Sequence, residues 1–146
     1  MSDRYVFDTE AIIAYLYGEP GHDFVAEVLT AVFAGDADGF LAELNASEVF
    51  SLVARFEGTN AEVSTPDSFR IADRDLRAIE RQGLAVASAD WRLTGTVKAD
   101  GHVSLADAAA VALASERDAT LLVGGDDDFD DLPLEVSCER FRDHGV

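Results

Sequence analysis

The chain has 146 residues and a mass of 15.7 kDa, a size that suits one domain with one substantial core. Hydrophobic residues make up 48% of it, too many for a disordered region, yet no apolar run reaches the roughly 18 residues of a membrane span. Its 29 acids against 11 bases leave a formal net charge of −18, which gives no basic patch for nucleic acid to be held by charge alone.

In chain order, Tyr5 to Phe7 is a β-prone run ending at Asp8, and Ala11 to Leu16 reads as an apolar helix. His22 to Phe33 carries Phe24, Val25, Val28, Leu29, Val32 and Phe33 at helical spacing and ends before the stretch from Gly35 to Gly39. Phe40 to Ala42 predicts a brief strand. Asn45 is expected to open the next helix, whose apolar face is Val49, Phe50, Leu52, Val53 and Phe56. Thr65 and Pro66 fit the cap and first position of a helix that runs through Phe69, Ala72, Leu76 and Ile79 to Gly83. Leu84 to Ala87 predicts a strand, and a helix with Trp91 and Leu93 follows. Ser104 starts a strongly apolar helix, Thr120 to Val123 a buried strand broken by Gly124 and Gly125, and Val136 to Cys138 a last short strand. Strands alternating with helices predict an α/β fold, one domain over residues 1–146, with a central parallel sheet covered by helices on both faces.

The acids are dispersed along the chain, 18 of the 29 are Asp, and Lys98 is the only lysine. A carboxylate surface of this kind suits a protein in molar salt, where the Debye length falls to about 3 Å and self-repulsion is damped. Acidity therefore locates no site, and position must. The start, Met1 to Arg4, has no basic segment followed by an apolar stretch, so a cytoplasmic protein is expected. The single cysteine, Cys138, excludes an intrachain disulfide and reads as a small residue on a late strand. One Cys and three His offer no zinc spacing.

Four acids stand out by placement. Asp8 follows the first strand, and Asp126 follows the strand Thr120 to Val123. Glu48 lies three residues after Asn45 and Asp107 three after Ser104, in the first turns of their helices. Taken singly, each fits a helix cap or a capping box. Taken together, they fall at strand ends and helix starts that an α/β sheet brings to one rim. Carboxylates gathered without bases repel one another unless a cation compensates them, and all-oxygen ligation suits Mg²⁺ or Mn²⁺. Such a site fits phosphodiester hydrolysis, because a bound divalent ion activates water and neutralises phosphoryl oxygens.

These segments resemble the PIN-domain family, and within it the VapC-like toxins of toxin–antitoxin pairs. Tyr5-Val6-Phe7-Asp8-Thr9 with Ala11 to Ala14 is similar to the family's first strand, first acid, hydroxyl residue and first helix. Asn45-Ala46-Ser47-Glu48-Val49 is similar to its second acidic motif, Ser104-Leu105-Ala106-Asp107-Ala108 to its third, and Thr120 through Phe129 to its fourth. The resemblance implies a three-layer PIN-like fold and a metal-dependent endoribonuclease. Asp8 and Asp107 are then primary ligands of Mg²⁺ (or Mn²⁺), Asp126 is a further direct or through-water ligand, and Glu48 orients or deprotonates the attacking water. Thr9 is expected to bond to a carboxylate. The resemblance also implies an RNA substrate, a small antitoxin partner and a homodimer; the apolar surplus of the early helices points to the homodimer as well. Two positions depart from the family pattern: Gly124 stands where a hydroxyl residue is usual, and Glu10 where a small polar residue is usual. Gly124 keeps open a PIN-fold binding module with little turnover, and a stand-alone RNA-processing nuclease is a further alternative. Asp128 reads as a surface or capping acid ahead of a fifth site acid, and Asp127, Asp130 and Asp131 as surface charge.

Arg70, Arg74, Arg77 and Arg81 recur at helical spacing but are interrupted by Asp67, Asp73, Asp75 and Glu80, which predicts intrahelical ion pairs. Arg55 and Arg92 are candidates for phosphate contact. Trp91 reads as a core or dimer-contact residue before a base-stacking one, and His22, His102 and His144 show no partner spacing for acid–base work. A haloacid-dehalogenase-like phosphatase needs a second Asp where Glu10 stands, and a receiver domain needs a lysine after its last strand, whereas Lys98 precedes Thr120 to Val123.

Overall fold

The structure, a computed structural model, describes residues 3–124, 129 and 132–144. Strand β1 (Asp3–Phe7) is followed by helices α1 (Thr9–Tyr17) and α2 (His22–Phe33), strand β2 (Ala37–Ala42), helices α3 (Glu43–Phe56) and α4 (Pro66–Gln82) and strand β3 (Ala85–Ala87). Helices α5 (Trp91–Asp100) and α6 (Leu105–Arg117), strands β4 (Thr120–Val123) and β5 (Cys138–Arg140) and a 3-10 turn (Phe141–His144) complete it. The five strands form one sheet in the order β3-β2-β1-β4-β5, and every pairing is parallel.

Successive strand residues face opposite sides of the sheet. Phe7, Leu41 and Leu122 enter a core with Ile12, Val25, Leu29, Val49, Val53 and Ile79 from α1 to α4. Their neighbours Val6, Ala42, Leu121 and Val123 enter a second core with Val97 of α5 and the alanine-rich face of α6. Burial on both faces accounts for the near-continuous apolar strands, as the three-layer expectation requires. In α6 every residue from Ala108 to Ala114 is buried. A helix apolar on all sides belongs in the interior, and its alanines let the sheet and α5 approach closely.

Among the boundaries that differ from the sequence reading, three bear on the packing. β2 begins at Ala37, earlier than Phe40, because Asp3 to Val6 of β1 pair with Ala37 to Phe40. Gly39 lies within it because a Cβ there would stand 2.8 Å from Val32 Cγ2 and 3.1 Å from Leu84 Cδ1. The last strand lies two residues later than expected: Cys138 to Arg140 pair with β4, while Val136 packs on the second core. Cys138 opens this late strand and is exposed. Helix α3 begins at Glu43 with no side-chain cap, since β2 runs into it without a loop. Asn45 is therefore inside the helix, and Glu48 lies in its second turn, outside any capping box.

The other helix signals match. Thr65 and Ser68 form a reciprocal capping box with Pro66 at the first helical position, and Ser104 caps α6 by accepting from the Asp107 N–H at 3.2 Å. The arginines of α4 pair largely within their helix: Arg70 with Asp67, Arg77 with Asp73 at 2.9 Å and Arg74 with Asp75 at 3.1 Å. Trp91 is not a core residue. It is 75% exposed, one turn before the buried Thr94 at the open end of α5. The apolar residues of α1 and α2 mostly serve the first core, with Tyr15, Leu16, Phe24 and Phe33 partly buried and Tyr17 exposed; exposed Leu44, Trp91 and Leu105 share one groove.

No helix among the described residues is long and apolar enough to cross a membrane. Enlarging the central helix should be costly. Ala110→Leu, at a position with no exposed surface, is expected to lower unfolding stability by about 1–3 kcal/mol in urea titrations, because overpacking strains both neighbouring layers.

Candidate functional site

In a parallel sheet the carboxyl ends of the strands share one edge, and a crevice opens there where the strand order reverses. From β1 the chain moves outward to β2 and β3, then returns to place β4 on the other side of β1. The reversal lies between β1 and β4, and Asp8 follows β1 at that point. Its backbone N–H donates to Leu122 O of β4 at 3.1 Å, which continues the ladder one residue past the strand.

Asp8 is also the N-cap of α1. Its Oδ1 accepts from the Ala11 N–H at 2.7 Å, and its Oδ2 accepts from the Gly124 N–H at 3.3 Å. Both carboxylate oxygens are thus tied to backbone, one to a helix start and one to the end of a strand. The residue is 2% exposed. Burial pushes its pKa from an ordinary 3.8 up to about 8, and the charges of Glu10 and Asp107 push the same way; the bonds from Ala11 and Gly124 oppose the rise.

Asp8, Thr9, Glu10, Glu48, Leu52, Ser104, Asp107 and Phe129 line a cleft of about 270 Å³. Three of the four acids singled out in the sequence border it, from three separate elements. Asp107 comes from the first turn of α6, and Glu48, exposed, from the second turn of α3. The fourth, Asp126, lies outside the described residues, as do Asp127, Asp128, Asp130 and Asp131. Arg55, Arg92, His22 and His102 are not among the described residues that line the cleft. Arg92 stacks on Trp91 at 4.8 Å, and His22 faces Asp23 at 3.0 Å.

The described lining includes four carboxylates and no basic side chain. That donor set fits a hard divalent cation, which takes oxygen ligands and keeps several waters. Among the described residues, no three candidate ligand side chains stand close enough together to hold an ion by themselves. The described acids therefore border a common space without forming a closed ligand shell.

Two residues have roles that sequence reasoning missed. Asn45 is completely buried, and its Nδ2 donates to Thr9 Oγ1 at 3.0 Å; Asn45 Oδ1 has no partner among the described residues. Thr9 Oγ1 thus accepts from Asn45. The missed signal was periodicity: Asn45, Val49 and Val53 fall on one helical face, and the latter two are core residues. The other is Arg142. Its Nη1 pairs with Glu10 at 3.1 Å and its Nη2 with Glu19 at 3.8 Å, so the final 3-10 turn is tied to both ends of the α1 segment.

The PIN domain family model matches residues 5–134, and the chain belongs to that family. Solved structures of similar fold include the VapBC2 complex of Rickettsia felis bound to promoter DNA, with a TM-score of 0.69 and 12% identity over 94% of this chain and 98% of that one. A DNA-bound VapBC of Salmonella typhimurium has a TM-score of 0.65 at 15% identity, covering 97% and 99% of the two chains. VapC20 of Mycobacterium tuberculosis, described as a sarcin–ricin loop cleaving toxin, has a TM-score of 0.60 at 15% identity, covering 91% and 98%. At such identities the likeness is one of fold. No curated protein matches the chain.

The raised pKa fixes a sign. Folded Asp8 keeps its proton up to about pH 8, whereas the unfolded chain releases it near 3.8. Stability is therefore complete below about pH 4 and declines as pH rises toward 8, by up to roughly 5 kcal/mol from this group. In EDTA, Asp8→Asn keeps the acceptor for Ala11 but cannot ionise. Calorimetry should show it melting several degrees above the wild type at pH 8 and close to it at pH 4. Equal melting temperatures at pH 8 would contradict the buried charge.

Proposed function

We propose that this protein is a divalent-metal-dependent endoribonuclease and the toxin of a toxin–antitoxin pair. The observation that carries the reading is the meeting of Asp8, Glu48 and Asp107 in one cleft at the sheet reversal, without a basic side chain in the described lining. Membership of the PIN domain family supports it, as do structural neighbours described as toxin–antitoxin complexes and as a toxin that cleaves the sarcin–ricin loop.

In this reading Asp8 and Asp107 hold Mg²⁺ or Mn²⁺, with Asp126 as a direct or through-water ligand. The bound ion would supply Lewis acidity toward a phosphoryl oxygen and toward water. Asp8 is held by two backbone N–H groups, so its oxygens are already placed for a cation, beside which its ionised form would be favoured. Glu48, on a different helix and open to solvent, orients the attacking water and accepts its proton. Thr9 and Asn45 brace α1 against α3 and so keep Asp8 and Glu48 at a constant separation. The starts of α1 and α6 both point backbone N–H groups and positive partial charge at this rim, which favours a phosphate there.

The substrate is RNA. With a net charge of −18, long-range attraction contributes little, so binding rests on the metal and on substrate shape, and it tolerates salt better than binding by a basic patch. A small antitoxin would place a basic side chain in the acidic cleft. Homodimerisation would cover the groove with Leu44, Trp91 and Leu105. The Glu10 carboxylate packs where a side chain at position 124 would lie, so the glycine that favours a binding-only module leaves no void.

Structured RNA incubated with the purified protein, Mn²⁺ and high salt should be cleaved, and EDTA should stop the reaction. Asp107→Asn should lower the rate at least about a hundredfold, since loss of a ligand should cost no less than loss of an outer-shell partner. Cleavage indifferent to both would eliminate the metal mechanism. Light scattering at working salt should report a dimer, and a charged substitution, Leu105→Glu, should shift it to monomer.

A further inference from the structure

The two departures from the family pattern, Glu10 and Gly124, meet in space. A Cβ added at Gly124 would fall on Glu10 Oε2 and lie 2.7 Å from Arg142 Nη1. The atoms a Cβ at Gly124 would meet are all side-chain ends, so a larger residue there has to displace the Glu10 carboxylate. Arg142 holds Glu10 in this place at 3.1 Å, reaches Glu19 at 3.8 Å and is anchored by its neighbour Phe141, which is completely buried in the first core. Gly21 is pressed against the same turn: a Cβ there would lie 2.7 Å from Phe141 Cδ2 and 2.8 Å from Phe141 O. The C-terminal turn is thus packed closely against the junction of α1 and α2, with Arg142 reaching the end of β4.

We propose that Glu10 and Arg142 form a positioning pair that replaces the missing side chain at position 124 and locks the C-terminal turn to the wall of the acidic cleft. Glu10 lies one helical position beyond Thr9, so its carboxylate covers Gly124 from the α1 side while its negative charge is felt at Asp8. The Gly124 N–H binds Asp8 Oδ2, and Glu10 and Arg142 lie against the same residue. The pair therefore acts on the cleft through Asp8: it keeps the end of β4 against that carboxylate, and the Glu10 charge, offset in part by Arg142, favours a cation beside it. Arg142 pairs with Glu10 in this orientation. This inference rests on the reading of the cleft as a divalent-cation site, but its steric part is independent of any metal.

The experiment is a mutant cycle on the full chain, read by thermal unfolding in EDTA, by the rise in Tm on adding Mn²⁺, and by RNA cleavage. Gly124→Ser in the wild-type background should lower Tm by about 1–4 °C, because the serine displaces the Glu10 carboxylate and breaks its pair with Arg142. In the Glu10→Ala background the same change should cost nothing or raise Tm, because the serine enters the space that Glu10 has left. Glu10→Ala alone should weaken Mn²⁺ binding about tenfold or more, as outer-shell losses do, and the added serine should restore part of that affinity. If Gly124→Ser does not fold, Gly124→Ala serves the same comparison, since its Cβ alone meets Glu10. Arg142→Met should relieve the cost of the serine in part by freeing Glu10 to turn outward. Equal costs of the serine with and without Glu10 would overturn the pairing, as would Mn²⁺ binding indifferent to Glu10→Ala. A wild type that binds Mn²⁺ and follows the cycle but leaves RNA intact would refute the nuclease reading while supporting the positioning pair.

Discussion

The structure depends on a carboxylate kept out of water at the point where the sheet reverses. Asp8 follows β1, caps α1 and accepts the Gly124 N–H just past β4, so one side chain joins three elements at the crevice. The same burial makes its charge expensive, and the acids nearest to it add to the cost. Functional sites often hold groups in a state that the isolated fold disfavours, and a cation here would turn that penalty into binding energy.

The surroundings are arranged around this constraint. The alanines of α6 let that helix lie close under the sheet, which carries Asp107 up to the same edge as Asp8. On the other side, Asn45 and Thr9 bridge α3 to α1 beneath Glu48. The α3 and α4 hairpin is braced by the stacked rings of Phe50 and Phe69 at 5.8 Å, and Tyr17 meets Phe56 edge-on at 5.4 Å, which ties the hairpin to α1. Apolar packing thus holds the acids in place, while the arginines of α4 are largely occupied by their own aspartates.

The charge of the whole chain and the charge of the cleft are separate matters. Dispersed surface carboxylates are screened by salt over a few ångströms, so they neither create nor obscure a site. Asp8 is screened far less, because burial removes it from both water and ions. This difference in environment, invisible in a count of 29 acids, singles out Asp8 among the described carboxylates.

The sequence alone determined the order of elements, the parallel α/β class and the family resemblance. Period-two and period-3.6 patterns, the cap at Ser104 and the capping pair at Thr65 and Pro66 are local, so they can be read without knowing the partners. The ends of β2, β5 and α3 escaped it, because register against β1 and β4 and the direct passage from β2 to α3 overrode local preference. For the same reason Asn45 looked like a cap and proved to be a buried strut. Only the tertiary structure brought Asp8, Glu48 and Asp107 to one cleft and exposed Trp91. Only it joined Glu10, Gly124 and Arg142, since which side chain fills the space left by a glycine is decided by packing between distant segments.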